Sequence, residues 1–202
     1  MAQPYSARSR AIEPFHVMAL LARANELQAA GHDVIHLEIG EPDFTTAAPI
    51  VAAGQAALAE GHTRYTAARG LPALRQAIAG FYGQRYGLDV DPERILITPG
   101  GSGALLLASS LLVDPGKHWL LADPGYPCNR HFLRLVEGGA QLVPVGPEVN
   151  YQLDAELVHK HWNADTVGAL VASPANPTGT VLGREALASL AQATRARAGH
   201  LV

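Results

Sequence analysis

The chain has 202 residues, 48% of them hydrophobic and 16% charged, with a net charge of −3. That balance excludes a disordered chain and gives no electrostatic basis for binding nucleic acid or an anionic membrane. A single cysteine, Cys128, excludes an internal disulfide and suits a reducing compartment. No secretory signal stands at the N-terminus, so the cytoplasm is the expected location.

The length suits one large domain or part of a two-domain protein. Residues 1–13 read as a polar, flexible arm. Pro14 suits a first helical position, and Phe15, Met18 and Leu21 carry an amphipathic helix towards Ala30, ended by Gly31. Val34 to Glu38 reads as a short strand, followed by the turn Gly40-Glu41-Pro42-Asp43-Phe44. Pro49 opens a helix through Leu58, stopped near Gly61. The loop Tyr65 to Leu71 then leads into a helix carrying Leu74, Ile78, Phe81 and Tyr82.

From Arg94 onward the pattern alternates. Strands are expected at Ile95–Thr98, Trp119–Ala122, Gln141–Val145 and Val167–Ala172, and helices at Ala104–Val113, Asn129–Glu137, Asp154–Trp162 and Arg184–Ala198. This alternation predicts an α/β fold with a parallel-rich sheet wrapped by helices and right-handed crossovers. The uncharged stretch from Ile95 to Val113 is interrupted by Pro99, Gly100, Gly101 and Gly103, so it reads as strand plus helix, not as a membrane span. Gly199 is expected to close the last helix, and His200-Leu201-Val202 opens another strand, which reads as a truncated C-terminus.

Three loops follow expected strands, where open α/β sheets place their ligands. In Thr98-Pro99-Gly100-Gly101-Ser102-Gly103-Ala104 the glycines allow close approach of the backbone, and the free amides and dipole of the following helix favour an anion such as phosphate. The spacing is neither that of a dinucleotide fingerprint nor that of a Walker loop. In Asp123-Pro124-Gly125-Tyr126-Pro127 the tyrosine is pinned between Gly125 and Pro127 and can offer a flat face to a planar ligand; a tyrosine in an ordinary tight turn reads equally well. In Ser173-Pro174-Ala175-Asn176-Pro177-Thr178-Gly179 two prolines stiffen a loop that can aim the Asn176 amide, although the same residues also make plain strand-to-helix turns.

Taken in order, five landmarks resemble the class I/II aminotransferases, the aspartate aminotransferase superfamily of pyridoxal-phosphate enzymes with fold type I. They are Gly40 to Phe44, Tyr65-Thr66 with Gly70-Leu71 and Leu74-Arg75, Gly100 to Leu105, Asp123 to Pro127, and Asn176 to Gly179. The resemblance covers nearly the whole chain. It implies pyridoxal 5'-phosphate as cofactor, with Gly101, Ser102 and Gly103 on its phosphate, Tyr126 stacked on its ring and Asn176 on the ring's phenolic oxygen. It implies that the Gly40 backbone lies near a substrate carboxylate and that Tyr65 reaches the phosphate bound by a partner subunit, hence a homodimer. Arg75 reads as structural. The implied division is residues 1–45 as an arm and helix contributing to a small domain and dimer contacts, and 46–202 as an incomplete cofactor-binding large domain.

The implied reaction moves an amino group from an amino acid to a 2-oxo acid. It requires a lysine that links covalently to the cofactor and shuttles a proton. Only Lys117 and Lys160 are present, and neither has the context of that lysine. No catalytic residue is therefore assigned, and the chain alone is expected to be inactive and poorly soluble. Two alternatives stand beside this reading: a catalytically inactive, truncated cofactor-binding or dimerising remnant, and a C–S lyase or cyclopropane-carboxylate synthase of the same fold. A transcription regulator would need a DNA-binding domain, and residues 1–30 offer one helix and no helix-turn-helix. His159 and His161 lie two apart on an expected helix, so no metal site is assigned.

Overall fold

Trp119, Leu120 and Leu121 are all buried, although neighbouring strand residues point to opposite faces. A strand buried on both faces needs a layer of helices on each. That is the arrangement in the computed structural model, which describes residues 5–202. The chain divides into two compact units. The first combines residues up to Phe15 with Gly101–Val202, and the second is His16–Gly100.

The first unit holds a four-stranded parallel sheet: β1 (His118–Asp123), β2 (Gly139–Pro144), β3 (Thr166–Leu170) and β4 (His200–Leu201), in the order β2-β1-β3-β4. On one face Trp119, Leu121, Val113 and Leu133 form a core with Ala108 and Leu112, from α5 (Gly100–Leu112) and α6 (Cys128–Leu135). On the other, Leu120, Val143, Ala169, Val158 and Leu190 form a second core under α7 (Ala155–His161) and α8 (Arg184–Arg195). Each such side chain contributes about 1.5–3 kcal/mol by burial. The chain leaves β1 for β2 through α6, on the first face. It returns to β3, on the other side of β1, through α7 on the second face. The strand order therefore reverses between β1 and β3, which opens a crevice at their carboxyl ends.

The expected strands at 119–122, 141–145 and 167–172 are present with shifted ends. Two others are not. Ile95–Thr98 forms no ladder; the Ile97 amide instead donates to the Arg69 carbonyl (3.1 Å). Val34–Glu38 also lacks a strand partner, and Ile35 and Leu37 are exposed. Both carry strand-forming residues, but a strand exists only where a neighbour supplies its hydrogen bonds.

Helix ends differ as well. The arm is not uniformly flexible: α1 spans Ala7–Arg10, with the Ser6 hydroxyl accepting from the Ser9 amide. This call on residues 1–13 otherwise falls partly on 1–4, which lie outside the described residues. The second helix, α2, covers His16–Ala29, leaving Pro14 outside; α3 (Ala48–Ala59) and α4 (Pro72–Tyr86) lie close to the expected spans. Helix α5 begins at Gly100, not Ala104, so the glycines form its first turn. After α8 it is Ala198 that takes the left-handed conformation (φ 53°), not Gly199. Gly199 packs where a Cβ would strike the Trp162 ring, so close approach explains the glycine there.

Candidate functional site

The crevice at the carboxyl ends of β1 and β3 is a cleft of about 260 Å³. Asp123 to Pro127 forms one wall and Val171 to Asn176 the other, with Tyr151 and Gln152 between them. Two of the sequence-predicted residues, Tyr126 and Asn176, thus line one cavity.

Tyr126 is placed by its neighbours. A Cβ on Gly125 would come within 2.5 Å of the Ala122 carbonyl oxygen, so only glycine lets the chain turn this tightly off β1. The half-buried Tyr126 ring meets Phe15 edge to face, with centroids 6.2 Å apart and planes at 79°. A hydrogen bond with the Cys128 thiol, then partial burial, push the Tyr126 phenol above its ordinary value of 10.0. It stays neutral through the physiological range. Arg130 lines the same cleft, with Glu13 3.4 Å away, and with Asp123 it brings the only charges to the lining.

Asn176 is exposed, on a loop whose stems are held by several bonds. The Ala175 amide donates to the Thr180 carbonyl and the Gly179 amide to the Ala175 carbonyl, both at 2.8 Å. The Leu182 amide donates to the Ser173 hydroxyl at 2.9 Å. The peptide bonds preceding Pro124, Pro174 and Pro177 are cis.

Gly101, Ser102 and Gly103 occupy the first turn of α5, whose amides have no acceptor inside the helix. They are not part of the cleft lining. Their position follows from connectivity. Helix α5 packs on the sheet and leads through a short turn into β1, so the two run antiparallel, and the helix N-terminus sits at the carboxyl edge of the sheet. Three site elements of the first unit therefore share one edge.

Both lysines lie towards the opposite edge. Lys117 precedes β1, and its ammonium donates to the Asp165 carboxylate (2.9 Å) and the Ala164 carbonyl (3.2 Å). Six strand residues, roughly 20 Å, separate it from the cleft. Lys160 is exposed near the end of α7. The carbonyl of the next residue, His161, accepts from Gln141 at the start of β2, which fixes that helix end at the amino edge.

Gly40 and Tyr65 belong to the second unit, where Tyr65 is fully exposed. Arg75 is buried in that unit. Its guanidinium donates to the Pro92 carbonyl (3.0 Å) and the Glu93 carboxylate (2.9 Å), a structural role as expected. Sequence reasoning missed Phe15, Arg130, Tyr151 and Gln152, which become neighbours of the landmarks only through the fold.

The family model for class I and II aminotransferases matches residues 32–202. The chain is 39% identical over 180 residues to a valine–pyruvate aminotransferase of Mycobacterium tuberculosis, covering 89% of this chain and 46% of that protein. It is 40% identical over 173 residues to a (5-formylfuran-3-yl)methyl phosphate transaminase of Methanocaldococcus jannaschii, covering 86% and 45%. Among solved structures, an aminotransferase from M. tuberculosis superposes with a TM-score of 0.94 at 36% identity, over 99% of this chain and 51% of that one. The Thermus thermophilus aspartate aminotransferase with maleate gives 0.92 at 34% identity, over 99% and 52%. The chain spans about half the length of the curated relatives it matches.

Proposed function

The chain belongs to the class I and II aminotransferases, and from that premise we propose that its carboxyl-edge cleft binds pyridoxal 5'-phosphate for amino-group transfer from an amino acid to a 2-oxo acid. The observation that carries this reading is the convergence of Tyr126 and Asn176 on one cleft at the point where the strand order reverses. That all the relatives named above are aminotransferases favours transfer over lyase or synthase chemistry.

The residues present fit the cofactor. A Cβ built on Gly101 meets nothing within 4 Å, so there is open space beside the first-turn amides of α5, where an anion is favoured. Ser102 adds a hydroxyl, and Gly103 a further amide. Tyr126 offers an aromatic face, and its neutral phenol adds no charge. Asn176 offers an amide donor to a phenolic oxygen. When bound, the cofactor supplies an electron sink for reactions at the α-carbon of an amino acid. The residues named here bind and orient it. Proton transfer needs a base at the cleft, and Lys117 and Lys160 are held away from it.

In this reading residues 1–45 contribute to a small domain and dimer contacts, and 46–202 form the cofactor-binding part of the large domain of a cytoplasmic homodimer. The full exposure of Tyr65 supports a role towards a partner subunit, and Gly40 is assigned to the substrate carboxylate. The relatives act on different substrates by name, so the amino donor is left as a class.

The test is a titration of the 202-residue chain with pyridoxal 5'-phosphate, followed by borohydride reduction and peptide mapping. Binding is expected without stoichiometric labelling of either lysine. Asn176→Ala and Tyr126→Ala should each weaken it about tenfold or more, the equivalent of one hydrogen bond or one aromatic contact. Affinity unchanged by both substitutions, or a full label on Lys117 or Lys160, overturns the assignment.

A further inference from the structure

The cleft has a component that no landmark marks. Gln152 is 4% exposed. Its amide nitrogen donates to the Ala172 carbonyl (3.1 Å), two residues past β3, and to the Thr180 carbonyl (3.0 Å), on the far side of the Asn176 loop; the Thr180 hydroxyl lies 3.2 Å away. One buried side chain thus ties together the two stems of the loop that carries Asn176. Asn150, two residues earlier, reinforces the tie, its side-chain amide donating to the Val181 carbonyl at 3.3 Å.

The backbone that delivers Gln152 is costly. Asn150 (φ 55°) and Tyr151 (φ 53°) are consecutive non-glycine residues in the left-handed region, held by the Tyr151 amide donating to the Gly146 carbonyl (2.8 Å). Such conformations persist only where surrounding structure over-determines them. Here the turn feeds a buried donor to the Ala172 carbonyl and adds a second donor to the Thr180 carbonyl, which also accepts from the Ala175 amide. Leu153, next in sequence, is fully buried in the sheet core, so the donor is anchored from the far side as well.

We infer that Gln152 is the positioning residue for Asn176: it clasps the stems of loop 173–179 and thereby fixes the direction of the Asn176 amide within the cleft. This rests on the proposed cofactor reading for what Asn176 contacts. The clasp itself rests on the bonds above. Gln152 does not need to touch the bound group. A side chain of equal length that cannot donate removes the Gln152 donor from the Ala172 carbonyl, leaves the Thr180 carbonyl with the Ala175 amide alone, and loosens the stems.

The experiment pairs hydrogen exchange with pyridoxal 5'-phosphate titration on the full 202-residue chain. In Gln152→Met the amides of Ala175, Gly179 and Leu182 should lose protection, while those of β1 keep theirs. In Gln152→Glu the loss should depend on pH. A protonated carboxyl can still donate one bond, whereas the carboxylate cannot, so protection should fall as pH rises through the titration of that group. Ionising a carboxyl buried at that site is itself unfavourable, so the affinity cycle below separates the clasp from packing, and Gln152→Glu at low pH also serves if Gln152→Met fails to fold. Affinity for pyridoxal 5'-phosphate should fall about tenfold in Gln152→Met, as for one lost hydrogen bond, and should not fall further when the substitution is added to Asn176→Ala. Unchanged loop exchange, pH-independent exchange in Gln152→Glu, or additive losses in the double variant overturns the inference. Loss of loop protection with native affinity also overturns it if Asn176→Ala does weaken binding. If Asn176→Ala leaves affinity at the native level, it is the role of Asn176 in the cofactor reading that fails, and the exchange data judge the clasp separately.

Discussion

The two units of this molecule solve the problem of burial differently. In the first, Trp119, Leu120, Leu133, Val143, Leu153 and Leu190 are wholly buried between a sheet and its helices. In the second, three helices making up about half of residues 16–100 bury no apolar side chain; among the described residues the one buried side chain there is Arg75. Ile35, Leu37, Phe44, Ile50 and Leu58 stand largely exposed. A sheet closes its own backbone hydrogen bonds and offers two faces for covering. Helices joined by loops must find each other's apolar stripes, and α3 presents apolar residues all round with none of them covered. Exposed apolar surface of this extent marks a face for interaction or association. The first unit carries its stability in its own residues, whereas the second presents surface suited to further contacts.

Substitutions can break that contrast. The largest effect is expected from Leu120→Ala, at the centre of the sheet. It should cost about 2–5 kcal/mol, since the site is enclosed on both faces and cannot collapse. Ile50→Ser in α3 should change stability by no more than about 0.5 kcal/mol and should raise solubility. Urea unfolding followed by circular dichroism, with the fluorescence of Trp119 and Trp162 for the first unit, compares the two. A cost for Ile50→Ser as large as that for Leu120→Ala would mean that α3 is covered in solution.

Within the second unit the sharper prediction concerns its ion pair. Glu93 accepts from both Arg69 and Arg75, and the Arg75 guanidinium is nearly enclosed, with its Nε unpartnered. Glu93→Ala should destabilise this unit by about 1–3 kcal/mol, because it leaves the buried guanidinium with only the Pro92 carbonyl. Hydrogen exchange of α4 amides reads it. Protection equal to the native chain would show that Arg75 does not hold the unit together.

The same contrast explains what was legible in the sequence. The α/β alternation and the two loops that carry Tyr126 and Asn176 were readable because short-range signals specify them: apolar runs bounded by proline and glycine, and helices at a 3.6 period. Ile95–Thr98 failed because its residues favour a strand but no partner is supplied, and pairing is not a local property. Gln152 was invisible for a related reason. Nothing in Tyr151-Gln152-Leu153 sets its amide apart until the fold brings Ala172 and Thr180 to either side of it. Sequence marks the loops that offer chemistry, whereas the bonds that aim them are long-range.

The smallest effect concerns an ion pair in the first unit that differs from Arg75–Glu93 chiefly in exposure. The Lys117 ammonium lies 2.9 Å from the Asp165 carboxylate at the amino edge of the sheet. Its hydrogen bond, then its charge, hold the Asp165 carboxyl below the ordinary value of 3.8. A carboxyl held low in the folded state contributes stability that is fully present above its unfolded value and is lost as pH falls through its folded one. The pH dependence therefore lies below about pH 4, and neutral solution carries the small contribution in full. Because neither partner is buried, salt should weaken this pair more than that of Arg75, whose guanidinium is nearly enclosed while its Glu93 carboxylate is exposed. Lys117→Met should return the Asp165 titration, followed by carboxyl NMR, to its ordinary range and lower the unfolding midpoint only slightly at neutral pH, a difference that disappears in acid. A large loss of stability there would mean that the amino edge of the sheet depends on this charge pair, and that the first unit is not held by its apolar core alone.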